Sequence, residues 1–255
     1  MISAIFNALV YTPLYNGLVF FVDVVPLHDV GIAVVILTLV VRVILFPLSR
    51  QAVRTQAAMR EVAPEIDEIK KKFKDKQEEQ ARAIFALYRE KSIRPFASFF
   101  LVLLQLPILF GLYWVFWKGG LPNVHPEYLY SFVPTPESVN MEFLGLINMG
   151  SHSILLAFFA GITQLIYARL SMGPRKPATQ SDGSFSADMA RSFDLQARYV
   201  LPIMIGGIAY TVSAAVPLYW VASNTFMILQ ELAMGRRLKE KKATEQVRQP
   251  TAPGV

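Results

Sequence analysis

Runs of about 18 to 22 predominantly apolar residues recur along this chain, the length at which an α-helix crosses a hydrocarbon core roughly 30 Å thick. Between them the sequence turns abruptly polar. With 53% hydrophobic and only 17% charged residues, a soluble domain of 255 residues would leave far too much apolar surface in water. Cysteine is absent, which removes disulfide staples and thiolate metal sites from consideration. The pattern predicts an all-α, polytopic membrane protein with five transmembrane helices, near Val30–Leu48, Pro95–Trp117, Met149–Leu170, Ala197–Ser213 and Pro217–Met234. The last two are so close that Ser213–Val216 must be a tight turn.

The basic residues orient these spans. Residues 49–94 hold Arg50, Arg54, Arg60, Lys70, Lys71, Lys72 and others, the loop after the third span holds Arg169, Arg175, Lys176, Arg191 and Arg198, and the tail holds Arg236, Arg237, Lys239, Lys241 and Lys242. Residues 119–148 and the Ser213–Val216 turn contain neither Lys nor Arg. Five spans put all three basic regions on one side, and the positive-inside rule makes that side the cytoplasm of a bacterial-type plasma (inner) membrane.

The segments outside the 30–234 core carry their own expectations. Residues 1–29 are apolar, but Asn7, Tyr11, Thr12, Pro13, Tyr15 and Asn16 interrupt them and no basic residue precedes them, which argues against a cleaved signal. The tyrosines suit the headgroup layer, so a helix lying along the outer interface is expected, with a sixth span as the alternative. In residues 49–94, Met59, Val62, Ile66, Ile69 and Phe73 recur every three or four positions, Pro64 belongs in the first turn of a new helix, and Ala81, Ile84, Phe85 and Tyr88 form a second stripe. Two amphipathic helices joined by a short turn read as an antiparallel cytoplasmic hairpin. It is either a plain connector or, being long for one, an element with a partner or a regulatory role. The tail, residues 235–255, is expected to be basic and disordered, holding ribosomal RNA or anionic lipid electrostatically.

One residue breaks the apolar pattern. Arg42 lies inside the first span, about seven residues, or on the order of 10 Å, from the cytoplasmic Ser49. A guanidinium at such depth costs roughly 2.5–3.5 kcal/mol on translocon scales. It either snorkels to the headgroups or needs a counter-charge or a water-filled cavity. No other span carries an acidic residue at comparable depth: Glu231 is near the cytoplasmic end of the last one. A hydrated cavity is therefore expected, and Thr38, Gln105, Thr163, Gln164, Ser223, Asn224 and Gln230 are the polar residues available to line it.

Enzyme signatures are missing. The sequence holds no Gly-x-Ser-x-Gly elbow, His-Glu-x-x-His helix or phosphate loop, and His28, His125 and His152 are too dispersed for a metal site, so neither catalysis, cofactor nor metal is expected.

Four stretches resemble the YidC-type insertases, a family that includes the mitochondrial Oxa and chloroplast Alb proteins. They are Leu37–Leu48 (LTLVVRVILFPL), Leu87–Pro95 (LYREKSIRP), Gln105–Trp114 (QLPILFGLYW) and Leu218–Gln230 (LYWVASNTFMILQ), in the family's order and spacing from Gly31 to Leu232. Two departures concern loop geometry: Arg94 stands where the family usually has Asn, and Ser213-Ala-Ala where it often has Pro-x-Gly. The resemblance is to the compact form of the family, so the large periplasmic domain of Gram-negative members is not expected. The resemblance implies a groove open to cytoplasm and lipid and closed outside, charged by Arg42. It also implies that Thr38 and Trp220 touch the incoming substrate helix. Arg42, Thr38, Gln105, Gln164, Trp220 and Asn224 are thus the candidate groove residues. The partners implied are nascent membrane proteins and the bilayer, with the ribosome and the Sec translocon as further candidates. The competing reading is a small anion transporter or channel, which usually shows internal repeats and interrupted helices that this chain does not.

Overall fold

The computed structural model describes residues 2–73, 76–93, 97–117, 121–172, 192 and 194–248. The chain is mostly helical. A short helix α1 (Ile2–Phe6) runs through one π-type turn, Asn7–Tyr11, into α2 (Thr12–Val24). Then follow α3 (Val30–Ile44), α4 (Phe46–Glu61), α5 (Ala63–Lys72), α6 (Gln77–Glu90) and α7 (Ala97–Trp117). A two-residue-per-strand hairpin, β1 (Glu142–Phe143) and β2 (Ile147–Asn148), precedes α8 (Ile154–Met172), α9 (Leu201–Thr211) and α10 (Ala215–Arg248). Ala4–Val24 and Ile154–Met172 are long and apolar enough to cross a membrane, and α3 with α4 would be a third such element if that bent pair is one span.

The break between α3 and α4 is a 65° bend. Pro47 sits in the first turn of α4, where its missing N–H is no loss but its ring prevents α3 from running on. Sequence reading extended this span to Leu48; helix α3 itself stops at Ile44. Similarly, α8 begins at Ile154 rather than Met149, because Ser153 caps it by accepting from the Leu156 amide at 3.3 Å. The turn between α9 and α10 is as tight as expected, closed by the Val216 amide on the Ser213 carbonyl at 3.0 Å.

Helix α10 lies between α3 and α8, and α8 packs closely on α9. That last contact is built from small residues. Ala157, Ala160 and Ala209 are buried together, and an added Cβ at Gly161 would stand only 3.6 Å from the Gly206 Cα. Small side chains let two backbones approach where no hydrophobic force drives them together. Elsewhere α8 and α9 expose Ile154, Phe158, Ile203 and Met204, as suits helices surrounded by lipid rather than water.

The largest core joins α2, α3, α7 and α10. Tyr15, Leu18, Val19 and Val22 of α2 are fully buried there with Val30, Ala33 and Val34 of α3. Tyr15 is therefore buried rather than facing headgroups, and with Asn16 it holds the loop that follows α7. The Asn16 side chain donates to the Tyr128 carbonyl at 2.8 Å and accepts from the Tyr130 amide at 2.6 Å, and Tyr15 Oη accepts from the His125 amide at 2.8 Å. Asp29, also buried, caps α3 through the Ile32 amide at 3.0 Å and binds the Leu144 amide at 2.8 Å, seating the small β-hairpin over the start of α3.

Helices α5 and α6 meet over Val62, Leu87 and Ile93, with Met59, Ile66, Ile69 and Tyr88 packed against them. The Lys91 ammonium lies 3.5 Å from the Glu65 carboxylate at one end of the pair, and Gln80 donates to the Lys70 carbonyl at 3.3 Å near the other. Pro64 takes the first turn of α5 as expected. The stripe on α6 is shifted: Leu87 is buried with Tyr88 beside it, whereas Phe85 is 58% exposed and Ala81 is exposed. Ala81, Ile84, Phe85 and Tyr88 also fit the helical repeat, so packing against α5 rather than spacing turns the Ala83, Ile84, Leu87 and Tyr88 face inward. Burial pushes the Tyr88 phenol above its usual range.

Helix α10 does not end near Met234. Its backbone stays helical to Arg248 in place of the disorder expected for 235–255, consistent with a run of Lys, Glu, Ala and Gln uninterrupted by proline until Pro250. Residues 249–255, like Arg94, Arg175, Lys176 and Arg191, lie outside the described residues.

Candidate functional site

Arg42 occupies the last turn of α3 and is only 6% exposed. It is not reaching for the surface. Its Nε donates to Ser223 Oγ of α10 at 2.7 Å, and its Nη2 donates to Gln105 Oε1 of α7 at 2.9 Å and to the same Ser223 hydroxyl. Gln105 in turn donates through Nε2 to the Tyr219 hydroxyl, one turn before Ser223 on α10. Three helices thus close around one guanidinium. Neutral side chains meet its Nε and Nη2 donors.

The acceptors are informative because they are uncharged. No carboxylate lies within 4 Å of Arg42 among the described residues. Glu231 stands eight residues beyond Ser223, about 12 Å along the helix axis. It pairs with Arg60 of α4 at 3.7 Å. A charge-assisted hydrogen bond is worth roughly 1.5–3 kcal/mol. Two or three of them offset much of the desolvation of a buried cation without neutralising it.

Toward the basic end of the bundle the polar contacts continue between α4 and its neighbours. Ser49 Oγ donates to Gln230 Oε1 at 3.0 Å, Ser171 Oγ to Gln56 Oε1 at 2.7 Å, and Arg60 Nη2 to the Leu170 carbonyl at 3.1 Å. Arg42 with Ser223 and Ser49 with Gln230 keep one register, seven residues on in both helices. Helix α10 therefore runs parallel to the chain across the α3–α4 bend.

Of the six candidate residues, the structure brings Arg42 and Gln105 into direct contact. Thr38 is one turn back on α3, buried at 2% exposure, and its hydroxyl is taken by the Val34 carbonyl at 2.6 Å. Asn224 and Trp220 belong to the contact between α10 and α8. Asn224 Nδ2 donates to Thr163 Oγ1 at 3.4 Å, half-buried Trp220 packs toward Ala157 and Ala160, and Gln164 is half-buried on α8. Ser223, named among the polar residues but not among the six, turns out to be the main acceptor. Tyr219 escaped notice altogether; its place four residues before Ser223, on the same helical face, was the available signal.

Comparison with known proteins adds an independent finding. The family model described as "60Kd inner membrane protein" matches residues 20–242, most of the chain. The chain belongs to this family. It is similar to the "Membrane protein insertase YidC" of Clostridium tetani, at 30% identity over 216 residues covering 85% of this chain and 86% of the relative. It is also similar to the protein of that name from Oceanobacillus iheyensis, at 29% identity over 83% of this chain and 77% of the relative. The relative so named from Neisseria gonorrhoeae is 25% identical over 87% of this chain, but that match spans only 36% of its own length. The span of the family match, residues 20–242 of this chain, takes in the positions of Arg42, Gln105 and Ser223.

Proposed function

We propose that this chain inserts other proteins into the bilayer, the activity named for its relatives, and that the guanidinium of Arg42 is the polar contact its substrates use. The observation that carries this reading is a buried cation held by a hydroxyl and an amide instead of a fixed carboxylate. A substrate carboxylate offers Arg42 a stronger partner than either. Val30–Met234 then form five spans, α3, α7, α8, α9 and α10, with the basic ends of the bundle and the α5–α6 antiparallel hairpin in the cytoplasm. An N-terminal helix lying across the outer face is supported by its contacts: Phe6 meets Trp114, Leu14 faces Gly111, and Asn16 holds Tyr128, all near the opposite end from the basic segments.

In this mechanism the acidic N-terminal tail of a nascent chain enters from the cytoplasm and parts the contacts at Ser49–Gln230 and Arg60–Glu231. Its carboxylates displace Ser223 and Gln105 from Arg42, which shortens the apolar distance the tail must cross. The substrate's hydrophobic segment then slides past Thr38 and along the α8–α10 side at Trp220, Gln164 and Asn224 into lipid. Each Leu, Ile, Phe or Val contributes about −0.3 to −0.6 kcal/mol at a helix centre. Outward movement of a negative charge adds roughly 2.3 kcal/mol per 100 mV. No cofactor enters the scheme. The partners are nascent membrane proteins and lipid, with the ribosome and the Sec translocon as further candidates for the tail and hairpin.

The test is insertion of a single-span substrate with an acidic tail into liposomes bearing wild type, Arg42→Lys or Arg42→Ala. Activity that falls in Arg42→Ala, survives in Arg42→Lys and depends on the tail acids is the expected result. Full insertion by Arg42→Ala overturns the role of the cation, and flux of a small anion without insertion by wild type overturns the whole reading.

A further inference from the structure

A second site lies between α8 and α9, lined by none of the residues that hold Arg42. Helices α8 and α9 leave between them an apolar crevice of about 520 Å³, floored by Ala157, Gly161 and Gly206 and walled by Phe158 and Ile203. The floor is low because the two glycines bring the backbones together, and the walls are high because Phe158 and Ile203 remain 62% and 77% exposed. From Tyr199 to Tyr210 the lining spans eleven residues, about 16 Å, close to half of a ~30 Å hydrocarbon core. A transmembrane helix is too large to be the occupant, since a cylinder roughly 10 Å wide and 16 Å long takes more than 1,000 Å³. One acyl chain is not.

The two ends of the crevice differ. At the end nearer the basic segments, the Arg169 guanidinium stands 5.6 Å from the centroid of the Tyr199 ring, one turn beyond the lining residue Leu165. Arg169 is exposed, whereas the neighbouring Arg198 is buried and donates to Asp194 at 2.8 Å. The crevice therefore combines an apolar slot one leaflet deep with a cation at its headgroup end.

We propose that this crevice is a binding site for a phospholipid with an anionic headgroup, one acyl chain lying between α8 and α9 and the phosphate against Arg169. The site stands apart from the insertase reading and requires only that α8 and α9 face lipid. A chain held there lies in the slot above the close Gly161–Gly206 contact and covers the apolar walls on either side of it. The lipid thus becomes part of the wall against which α10 packs on its other side.

Native mass spectrometry of the full-length protein in mild detergent, titrated with phosphatidylglycerol or phosphatidylcholine of matched chains, tests the site. Wild type should retain one phosphatidylglycerol in preference to phosphatidylcholine. Arg169→Gln should weaken that preference roughly fivefold, the worth of one basic residue against an anionic surface. Gly206→Leu should lose both lipids by filling the slot. Because that variant could also disturb the α8–α9 contact, a photoreactive benzophenone side chain at the exposed position of Ile203 provides the second reading, and it should yield a lipid adduct in membranes. Equal retention of the two lipids by wild type and Arg169→Gln would overturn the proposal, as would photo-adducts with protein alone.

Discussion

Removing Arg42 should destabilise the fold less than removing the residue that holds it. In Ser223→Ala the guanidinium stays buried and loses the acceptor shared by its Nε and Nη2, keeping only Gln105. Loss of a hydrogen bond to a charged group costs about 1.5–3 kcal/mol. For a chain of this size that lowers Tm by roughly 4–10 °C. In Arg42→Met the same bonds vanish together with the charge whose desolvation they offset. An apolar side chain of similar length then fills the space, and the change should stay within about 1 kcal/mol. The double variant should be no worse than Arg42→Met alone, so a double-mutant cycle returns a coupling of about 1.5–3 kcal/mol. Thermal unfolding in nanodiscs, followed by near-ultraviolet circular dichroism, provides all four values. If Arg42→Met is as damaging as Ser223→Ala, or if the cycle shows no coupling, the site is not a cation held by neutral partners.

Two further outcomes follow from the packing. Gly31→Ala would place a Cβ 2.3 Å from the Phe143 ring and 2.6 Å from the Phe143 Cβ, so it should cost about 1–3 kcal/mol and be relieved by Phe143→Gly but only partly by Phe143→Ala, measured as Tm in the same nanodiscs. Leu87→Ala should cost roughly 2 kcal/mol and speed amide hydrogen exchange across residues 77–90, whereas Phe85→Ala should stay within about 0.5 kcal/mol and leave exchange unchanged.

Much of this architecture is legible in the sequence because lipid imposes a simple rule: apolar runs of one length become helices, and basic residues gather at one end. Pro64 and the Ser213–Val216 turn were equally readable, since proline and chain length act locally. What escaped is what depends on a distant partner. Tyr15 and Asn16 look like headgroup residues until the 121–148 loop is seen folded over them, and nothing near them in sequence announces Tyr128 or Tyr130. The buried face of α6 was misjudged by one position because Ala81 and Phe85 also repeat at helical spacing, and only contact with α5 selects Leu87. The candidate site was half legible. A charge in an apolar run points to Arg42 without help, and a lone Gln in α7 points to Gln105. Choosing Ser223 over Asn224 depends on the rotation of α10, which no local signal records.

The uncharged company of Arg42 bears on how such a site could work repeatedly. A permanent Glu opposite it would compete with every arriving acid on equal terms, and prising them apart would need an outside source of energy. Ser223 and Gln105 are placeholders. In the proposed mechanism they would keep the cation satisfied while idle, yield to a carboxylate, and close again once that carboxylate had passed on. The helix pair α3–α10 would reset itself with nothing spent beyond the small difference between a neutral acceptor and an anionic one.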